Sequence, residues 1–339
     1  MTIPALPISP DAPWLAPLAG FSDLAFRLLC REYGARVCVT EMVSAKGLIY
    51  GSPGSRDLLA TTPDDSPLVV QLFGAHPDTI ARSMDILLEA GLRYFDLNAG
   101  CPVSKVAKTG SGAALLKFPG LLAAIARAMA QTGGAGSCGV KLRLGWKHGE
   151  PVLHELIPRL EDAGAAWLTV HPRFASDGFS GTADRSAFAA LRTRTTLPLI
   201  YSGDLFTAED AAATLRETSA DGVMFARGAL ADPGVFGRLR ELLRGVAPAA
   251  STPASVAAMA RRYAALAASY GHPHTALLKM RTVIPRFARG LAGARALRKA
   301  MTSCNSWDAL HALIAGIETD EADVTGEAGG APPPAPALE

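Results

Sequence analysis

The sequence predicts an α/β fold, a (β/α)8 TIM barrel, followed by a small helical bundle. Short apolar segments recur eight times along the first three quarters of the chain, and amphipathic stretches lie between most of them. Near-continuous apolar strands that alternate with helices are typical of a parallel sheet covered on both faces, and eight such units close a barrel. The predicted strands are Trp14–Ala16, Val37–Glu41, Leu68–Phe73, Tyr94–Asn98, Gly139–Arg143, Trp167–His171, Leu199–Ser202 and Gly222–Ala226.

Helical periodicity is clearest in four segments between these strands. They are Asp78–Ala90, Gly120–Gln131, Val152–Ala163 and Ala208–Thr218. An open, doubly wound sheet is the alternative architecture. Its dinucleotide-binding version is disfavoured because no GxGxxG turn follows the first strand.

The C-terminal part changes in composition after Gly245–Pro253, a segment rich in Ala and Pro that is typical of a linker. Four helices are predicted beyond it, namely Ala254–Ser269, His274–Arg289, Ala292–Met301 and Asn305–Ile317. We therefore predict a barrel domain over residues 1–247 and a helical domain over 254–317. The acidic, proline-rich residues 318–339 are predicted to be a disordered tail.

Bulk composition restricts the class of protein. Hydrophobic residues make up 49% of the chain, which allows a large core. No apolar run reaches the length of about 18 residues that a membrane span needs, and the N-terminus lacks the features of a signal peptide. The five cysteines form no CxxC pair. We therefore expect reduced thiols, no metal site and a cytoplasmic location. A monomer is expected as well, although nothing in the composition decides the oligomeric state.

The charge is unevenly distributed along the chain. The overall net charge is +2, but residues 251–317 carry nine Lys or Arg and a single acid, Asp308. Residues 318–339 carry six acids and no base. A compact basic segment predicts a polyanionic partner, and a solvated helix face is the alternative.

Polar side chains stand at the predicted carboxyl ends of most strands. Because the active site of this fold gathers at those ends, we expect them to share one pocket. They are Glu41, Gln71, Asn98, Cys101, Lys141, Arg143, His171, Arg173, Ser202, Asp204 and Arg227.

Gln71 and Lys141 lie inside apolar strands, where each needs a polar partner. The edge of a flavin ring would satisfy both. The alternatives are a backbone bond for Gln71 and an ion pair with Glu41 or Asp204 for Lys141. His171 is a candidate for flavin or substrate contact, or a core histidine.

Two glycine-containing loops follow the last two strands, Ser202–Asp204 and Ala226–Gly228. Such loops commonly hold a phosphate in this fold. Cys101 lies between Gly100 and Pro102 on a constrained turn, which makes it a candidate acid or nucleophile. Lys105 and Lys108 nearby could depress its thiol pKa or bind phosphate.

Taken together, these motifs resemble the tRNA-dihydrouridine synthase family. The resemblance covers residues 13–315 in the same order and with similar spacing, and the cysteine segment is its most specific part. It is carried by LAPLAGFSDLAFRLLCREYGA (15–35), VTEMVSAKGL (39–48), VVQLFG (69–74), DLNAGCPVSKVAKTGSGAALL (96–116), VKLRLGW (140–146), LTVHPR (168–173), YSGD (201–204), DGVMFARGAL (221–230) and LLKMRTVIPRFARGLAGARALRKAM (277–301).

The resemblance implies FMN as cofactor, NADPH (or NADH) as reductant and uridine in tRNA as substrate. It also implies that Cys101 protonates C5 of uracil after hydride reaches C6 from the flavin. The implied FMN contacts are Pro17, Leu18, Ala19, Gln71, Lys141, His171, Ser202, Gly203, Asp204, Ala226 and Arg227. We assign substrate and tRNA contacts to Asn98, Lys105, Arg143, Arg173, Lys279, Arg281, Arg286, Arg289 and Arg298.

Three positions depart from the family pattern. Ala99 stands where the family more often has Met, Ser202 where it has Asn, and Ala226 where it has Gly. FMN binding is expected to persist, with altered phosphate and ribityl contacts. Two other functions stay open at this point. One is an FMN enzyme acting on a free pyrimidine, which has no use for a basic bundle, and the other is an RNA-binding protein without catalysis.

Overall fold

The computed structural model describes residues 3–272 and 275–319, and its centre is a closed parallel barrel. The strands are β1 (Trp14–Leu15), β2 (Val37–Val39), β3 (Val43–Ser44), β4 (Leu68–Phe73), β5 (Tyr94–Ala99), β6 (Cys138–Gly145), β7 (Trp167–Phe174), β8 (Leu199–Ser202) and β9 (Gly222–Phe225). Every pairing is parallel, and β1–β2, β2–β4 and β1–β9 complete the ring. The predicted barrel and its eight strands are confirmed, and closure excludes the open sheet.

The ninth strand comes from an irregularity in the second predicted strand. Val39 pairs with Val69, but Val43 pairs with Leu72, so one extra residue lies between β2 and β3. The Thr40 hydroxyl accepts a hydrogen bond from the backbone N–H of Gln71 at 3.1 Å and fills the break in the ladder. Such bulges redirect side chains near active sites.

Helices surround the barrel in the order expected of repeated βα units. They are α1 (Leu24–Glu32), α2 (Ala45–Ile49), α3 (Pro53–Asp57), α4 (Pro77–Glu89), α5 (Ser104–Ala107), α6 (Pro119–Gly133), α7 (Leu153–Asp162), α8 (Arg185–Ala189), α9 (Ala208–Thr218), α10 (Arg227–Ala231) and α11 (Val235–Leu243). The four helices predicted between strands correspond to α4, α6, α7 and α9. The first two begin one residue early because proline occupies their first turn.

The C-terminal part consists of α12 (Pro253–Tyr270), α13 (Ala276–Phe287), α14 (Ala294–Ser303) and α15 (Trp307–Thr319). All four predicted helices are present. His274, the predicted start of the second, lies outside the described residues. The last helix runs two residues past the predicted end at 317, and residues 320–339 of the predicted tail also lie outside the described part.

The helical bundle packs directly on the barrel through aromatic side chains. The rings of Phe26 in α1 and Tyr263 in α12 meet edge to face, with centroids 5.8 Å apart, and Tyr263 also contacts Phe287 in α13 at 6.0 Å. Arg262 forms an ion pair with Glu32 at 2.6 Å beside them. One continuous hydrophobic core therefore runs from barrel to bundle, and their division into two domains stays a prediction. Over residues 3–272 and 275–319, the helices are all too short or too polar to cross a membrane.

Candidate active site at the carboxyl end of the barrel

Five residues from β4, β5 and the following loop form a chain of hydrogen bonds at the barrel mouth. The Gln71 Nε2 group donates to Oδ2 of Asp96 at 2.6 Å, and Asn98 Nδ2 donates to Oε1 of Gln71 at 2.9 Å. Asn98 Oδ1 in turn accepts from the backbone N–H groups of Gly100 and Cys101, at 3.1 and 2.9 Å. The chain links a buried carboxyl to the turn that carries the cysteine. Gln71 therefore binds side chains and not the backbone alternative.

Cys101 is half-buried on a tightly fixed turn. Its carbonyl accepts from the N–H of Ala113 at 2.9 Å. Gly112 approaches that carbonyl with φ +63°, and a Cβ there would lie 2.7 Å from the oxygen, so the turn requires glycine. Burial raises the pKa of the Cys101 thiol above its usual value, while Arg143 and Lys141 act in the opposite direction. The thiol is therefore protonated at neutral pH.

The expectation that Lys105 and Lys108 depress this thiol pKa is wrong. Both side chains are exposed on the solvent side of the loop. The cations that act on the thiol are Arg143 and Lys141 in β6, and desolvation outweighs them.

Lys141 faces a buried acid that the sequence interpretation missed. Its neighbour in the sheet is Asn98, and the charge that acts on it most strongly is Asp96, two residues earlier in β5. Burial lowers the pKa of Lys141 and raises that of Asp96, while each charge opposes the shift in the other. Neither of the two acids considered as its ion-pair partner contacts it, since Glu41 pairs with Lys279 and Asp204 with arginines.

Asp96 was detectable in principle. It precedes Asn98 by two residues, so both project from the same face of β5, and its sheet partner is Gln71. Its position inside the apolar run YFDLNA resembles that of Gln71 and Lys141.

His171 is held neutral among cations. The pKa of His171 is well below its usual value, and burial is the largest cause. The positive charges of Arg143, Lys141, Arg173 and Arg227 lower it further. Its Nε2 lies 2.9 Å from an N–H of Arg173. Because a guanidinium only donates, Nε2 is the acceptor and the ring proton resides on Nδ1.

Arg173 uses all five of its N–H groups within the protein. They reach the carbonyls of Ser180 and Gly181, Nε2 of His171 and both carboxylate oxygens of Asp204, with the Asp204 bonds at 3.0 and 2.7 Å. The predicted tRNA contact therefore acts as a fixed internal support in this structure. Its neighbour Arg143 does likewise, donating to the carbonyls of Phe174 and Gly178.

Asp204 organises the loops after β8 and β9. It binds Arg173, the N–H of Ala183 at 2.8 Å and Arg227 at 3.0 Å. Gly203 has φ +119°, and a Cβ there would lie 2.6 Å from the His171 ring, so only glycine fits. The Ser202 side chain is buried, and its hydroxyl has no hydrogen bond to any described residue.

Arg227 at the start of α10 stands between two exposed rings. Its guanidinium lies 5.4 Å from the Phe179 ring and 4.9 Å from the Phe206 ring. Both rings are about half exposed. A cation between aromatic faces at the mouth of a barrel offers a surface for an anionic or aromatic group.

The loop that contains Pro17, Leu18 and Ala19 is tied to the bundle. Glu41 accepts from the N–H of Gly20 at 2.5 Å and lies 3.8 Å from Nζ of Lys279 in α13. Lys279 also binds Asp23 at 2.7 Å. The predicted tRNA contact Lys279 therefore lies in the junction between barrel and bundle.

Other predicted tRNA contacts are available on the surface. Arg286 lies 5.3 Å from the Phe21 ring at the barrel mouth, while Arg289 and Arg298 are exposed. Arg281 is half-buried, and its Nε has no hydrogen-bond partner.

Several groups in the mouth keep unused hydrogen-bonding capacity. Lys141 Nζ, Nδ1 of His171 and the Ser202 hydroxyl have no bond within the described chain, and the Gln71 amide retains one N–H and one lone pair. These donors suit a polar, anionic, heteroaromatic ligand such as a flavin. Over the described residues, no group of three His, Cys, Asp or Glu side chains could hold a metal ion. Fold and site together define an enzyme built on a (β/α)8 barrel.

Comparison with known proteins identifies a family within this class of barrel enzymes. The family model for dihydrouridine synthase matches residues 14–319. A probable tRNA-dihydrouridine synthase 1 of Synechocystis is 34% identical over 293 residues, which cover 86% of this chain and 82% of the relative. A probable tRNA-dihydrouridine synthase of Mycobacterium tuberculosis is 34% identical over 316 residues, covering 88% and 80%. Morphinone reductase in complex with tetrahydroNAD is 15% identical with a TM-score of 0.48, covering 72% and 89%.

The chain belongs to the dihydrouridine synthase family. Dihydrouridine is uridine with a reduced C5=C6 bond, so the family reaction is a reduction.

Proposed function

We propose that this chain is a tRNA-dihydrouridine synthase that reduces the C5=C6 bond of uridine in tRNA. FMN is the proposed cofactor and NADPH (or NADH) the proposed reductant. Family membership supports the reaction. The single observation that carries the mechanism is the half-buried Cys101 thiol on a fixed turn at the barrel mouth, where burial raises its pKa.

Cys101 holds the proton for C5 at its Sγ atom. Reduction at C6 leaves electron density at C5, which needs an acid on that side of the ring. The raised pKa keeps the acid loaded at neutral pH, and Lys141 and Arg143 stabilise the thiolate that remains. Asn98 contributes by fixing the turn through the N–H of Cys101.

FMN, when bound, supplies the redox equivalents of the reaction. We assign its ring to Gln71, Lys141 and His171, and the free donors of Lys141 and His171 support the assignment. Pro17, Leu18 and Ala19 form the adjoining wall, and Ser202, Gly203, Ala226 and Arg227 hold the phosphate end. Asp204 takes the role of orienting Arg227 in place of direct contact, since a carboxylate repels a phosphate.

tRNA is the proposed polyanionic partner of the basic bundle. Exposed Arg289 and Arg298, together with Arg286 and Lys105 near the mouth, support phosphate contacts. The target base must leave its stack to reach Cys101. A cytoplasmic location and a monomeric state belong to the same proposal.

Mass-spectrometric mapping of dihydrouridine tests the proposal directly. tRNA from cells that lack the protein should lose dihydrouridine at one or more positions and regain it with the wild-type chain. The purified protein should carry FMN and reduce unmodified tRNA but not free uracil. Turnover of a free pyrimidine with none on tRNA would overturn the proposed substrate.

A further inference from the structure

The hydrogen-bond chain across the barrel mouth has a direction. A primary amide can present either its oxygen or its NH2 group to a neighbour, so Gln71 and Asn98 could each occur in two orientations. A carboxylate accepts only, and a backbone N–H donates only. Asp96 stands at one end of the chain, and the N–H groups of Gly100 and Cys101 stand at the other. Both ends require the same orientation of the two amides between them.

Asp96 is the stronger of these two ends. Its bond from Gln71 is the shortest link in the chain at 2.6 Å, and a charged acceptor forms a bond roughly twice as strong as a neutral one. The second carboxyl oxygen of Asp96 is buried and has no hydrogen-bond partner within the described part of the chain. A buried carboxyl oxygen without a hydrogen bond lowers the stability of the folded protein. The presence of Asp96 here therefore points to a role other than stability.

We infer that Asp96 is a positioning residue that fixes the Gln71 amide in one orientation and thereby supports the Cys101 turn. Gln71 is fully buried, so its fixed amide acts on the mouth through Asn98, which accepts from the backbone N–H groups of Gly100 and Cys101. The charge that acts on Asp96 is Lys141 on β6, and Lys141 in turn interacts with Arg143 on β6 and Cys101 on the loop.

The sequence provides an unusually clean test, because Gln71 and Gln131 are its only glutamines. Protein labelled with ¹⁵N in the glutamine side chain gives two amide groups in the NMR spectrum, and exposed Gln131 in α6 is an internal reference. In the wild type at a pH above 7, where Asp96 is charged, an N–H of Gln71 should be shifted downfield and exchange slowly with solvent. Equal behaviour of the two glutamines would overturn the inference.

Asp96→Asn removes the charge and keeps the shape. The downfield shift should disappear, and exchange at the Gln71 amide should rise about tenfold, as expected when a charge-assisted bond becomes neutral. Asp65→Asn is the matched control, since Asp65 is equally buried and binds Arg27 and Arg31 away from the mouth. It should leave the Gln71 signal unchanged. An unchanged signal in Asp96→Asn contradicts the assigned role.

A double variant separates orientation from simple stability. In Asp96→Asn with Asn98→Asp, the carboxylate moves to the other side of Gln71. It still accepts from the N–H groups of Gly100 and Cys101, and the reversed Gln71 amide donates to it. The downfield shift and slow exchange should therefore return. Failure to recover them in a folded double variant would overturn the inference.

If Asp96→Asn does not fold, a pH titration of the wild-type protein tests the inference instead. Burial raises the pKa of Asp96 to about 7, so its charge is lost as pH falls below neutrality. The Gln71 signal should collapse as Asp96 is protonated while the Gln131 signal stays constant. A Gln71 signal that persists after Asp96 has been protonated contradicts the role.

The catalytic consequence rests on the proposed function. In both variants kcat should fall about ten- to hundredfold, with the KM for tRNA within about twofold, because small misplacements at a reacting centre have effects of this size. A normal kcat in a variant with an altered Gln71 signal would contradict a positioning role of Asp96 in catalysis. Absence of activity in the wild type would instead overturn the proposed function.

Discussion

Single residues at the barrel mouth are tuned mainly by desolvation. Burial favours the protonated thiol of Cys101 and the neutral ring of His171, and positively charged side chains surround both. For the thiol, burial and positive charge act against each other, and burial prevails. For the imidazole they act together. The same environment therefore yields a loaded acid and an uncharged hydrogen-bonding ring.

Cys101→Ala tests the acid. Formation of dihydrouridine should fall by about 10²- to 10⁴-fold, the usual contribution of a general acid, while tRNA affinity stays within about twofold. Cys304→Ala, which alters a buried cysteine in the bundle, is the control and should retain activity. Near-normal turnover of Cys101→Ala in single-turnover assays would refute the assigned role.

The pH dependence follows from the direction of the thiol pKa. An unperturbed cysteine loses its proton near pH 8.5 or so. Because the pKa of Cys101 is raised, the proton-transfer rate should stay level through that pH and decline only at more alkaline values. A decline that begins near pH 7 would contradict the raised pKa. Iodoacetamide labelling of Cys101, located by mass spectrometry, provides an independent measure.

Gly203→Ala tests the support beneath His171. The new methyl group would lie 2.6 Å from the imidazole, so the ring and its bond to Arg173 must move. We expect FMN affinity to fall at least about tenfold. Gly91→Ala is the matched control, since Gly91 also has positive φ (+88°) but no atom within 4 Å of its would-be Cβ. Equal FMN affinity in the two variants would show that Gly203 does not support the FMN site.

At the scale of elements, periodicity was sufficient for the strands and most helices. Apolar runs indicate buried strands, so eight of the nine strands were predictable from residue type, and β3 (Val43–Ser44) was not. The interruption at Thr40 was not, since a bulge depends on how two distant strands pair. The roles of Arg173 and Asp204 were also missed. Their bidentate pairing depends on loops that only the folded chain brings together.

Several of the predicted tRNA contacts lie on α13 and in the segment after it. Replacing Arg286, Arg289 and Arg298 with Gln should weaken tRNA binding and reduce its salt dependence by about one unit of slope for each phosphate that the variant no longer binds. The control replaces exposed Arg82, Arg127 and Arg159 on barrel helices α4, α6 and α7. An equal decrease in affinity in the two triple variants, measured by filter binding across salt concentrations, would contradict a specific face.

At the scale of the whole molecule, the joint between barrel and bundle contains one unusual residue. Tyr263 is fully buried between Phe26 and Phe287, and its hydroxyl has no hydrogen-bond partner among the residues that the structure describes. An unsatisfied buried hydroxyl costs stability, while the ring contributes to it.

Tyr263→Phe and Tyr263→Ala should therefore act in opposite directions. The first should leave the free energy of unfolding unchanged or raise it by about 1 kcal/mol, and the second should lower it by about 3–5 kcal/mol. Both should unfold in one transition in denaturant titrations, since barrel and bundle share a core. Separate transitions for the two parts would show that the joint is weaker than its packing suggests.

The shared core has a geometric consequence for substrate choice. A bundle on a flexible tether would sample many positions, and its phosphate contacts could lie at many distances from the thiol. Here Phe26, Tyr263 and the Arg262–Glu32 pair hold α12 against α1, and Lys279 fastens α13 to the rim of the barrel. We therefore expect the proposed phosphate contacts of the bundle to lie at a fixed distance from Cys101. Under the proposed function, that distance, and not the neighbouring bases, should select the uridine that is reduced.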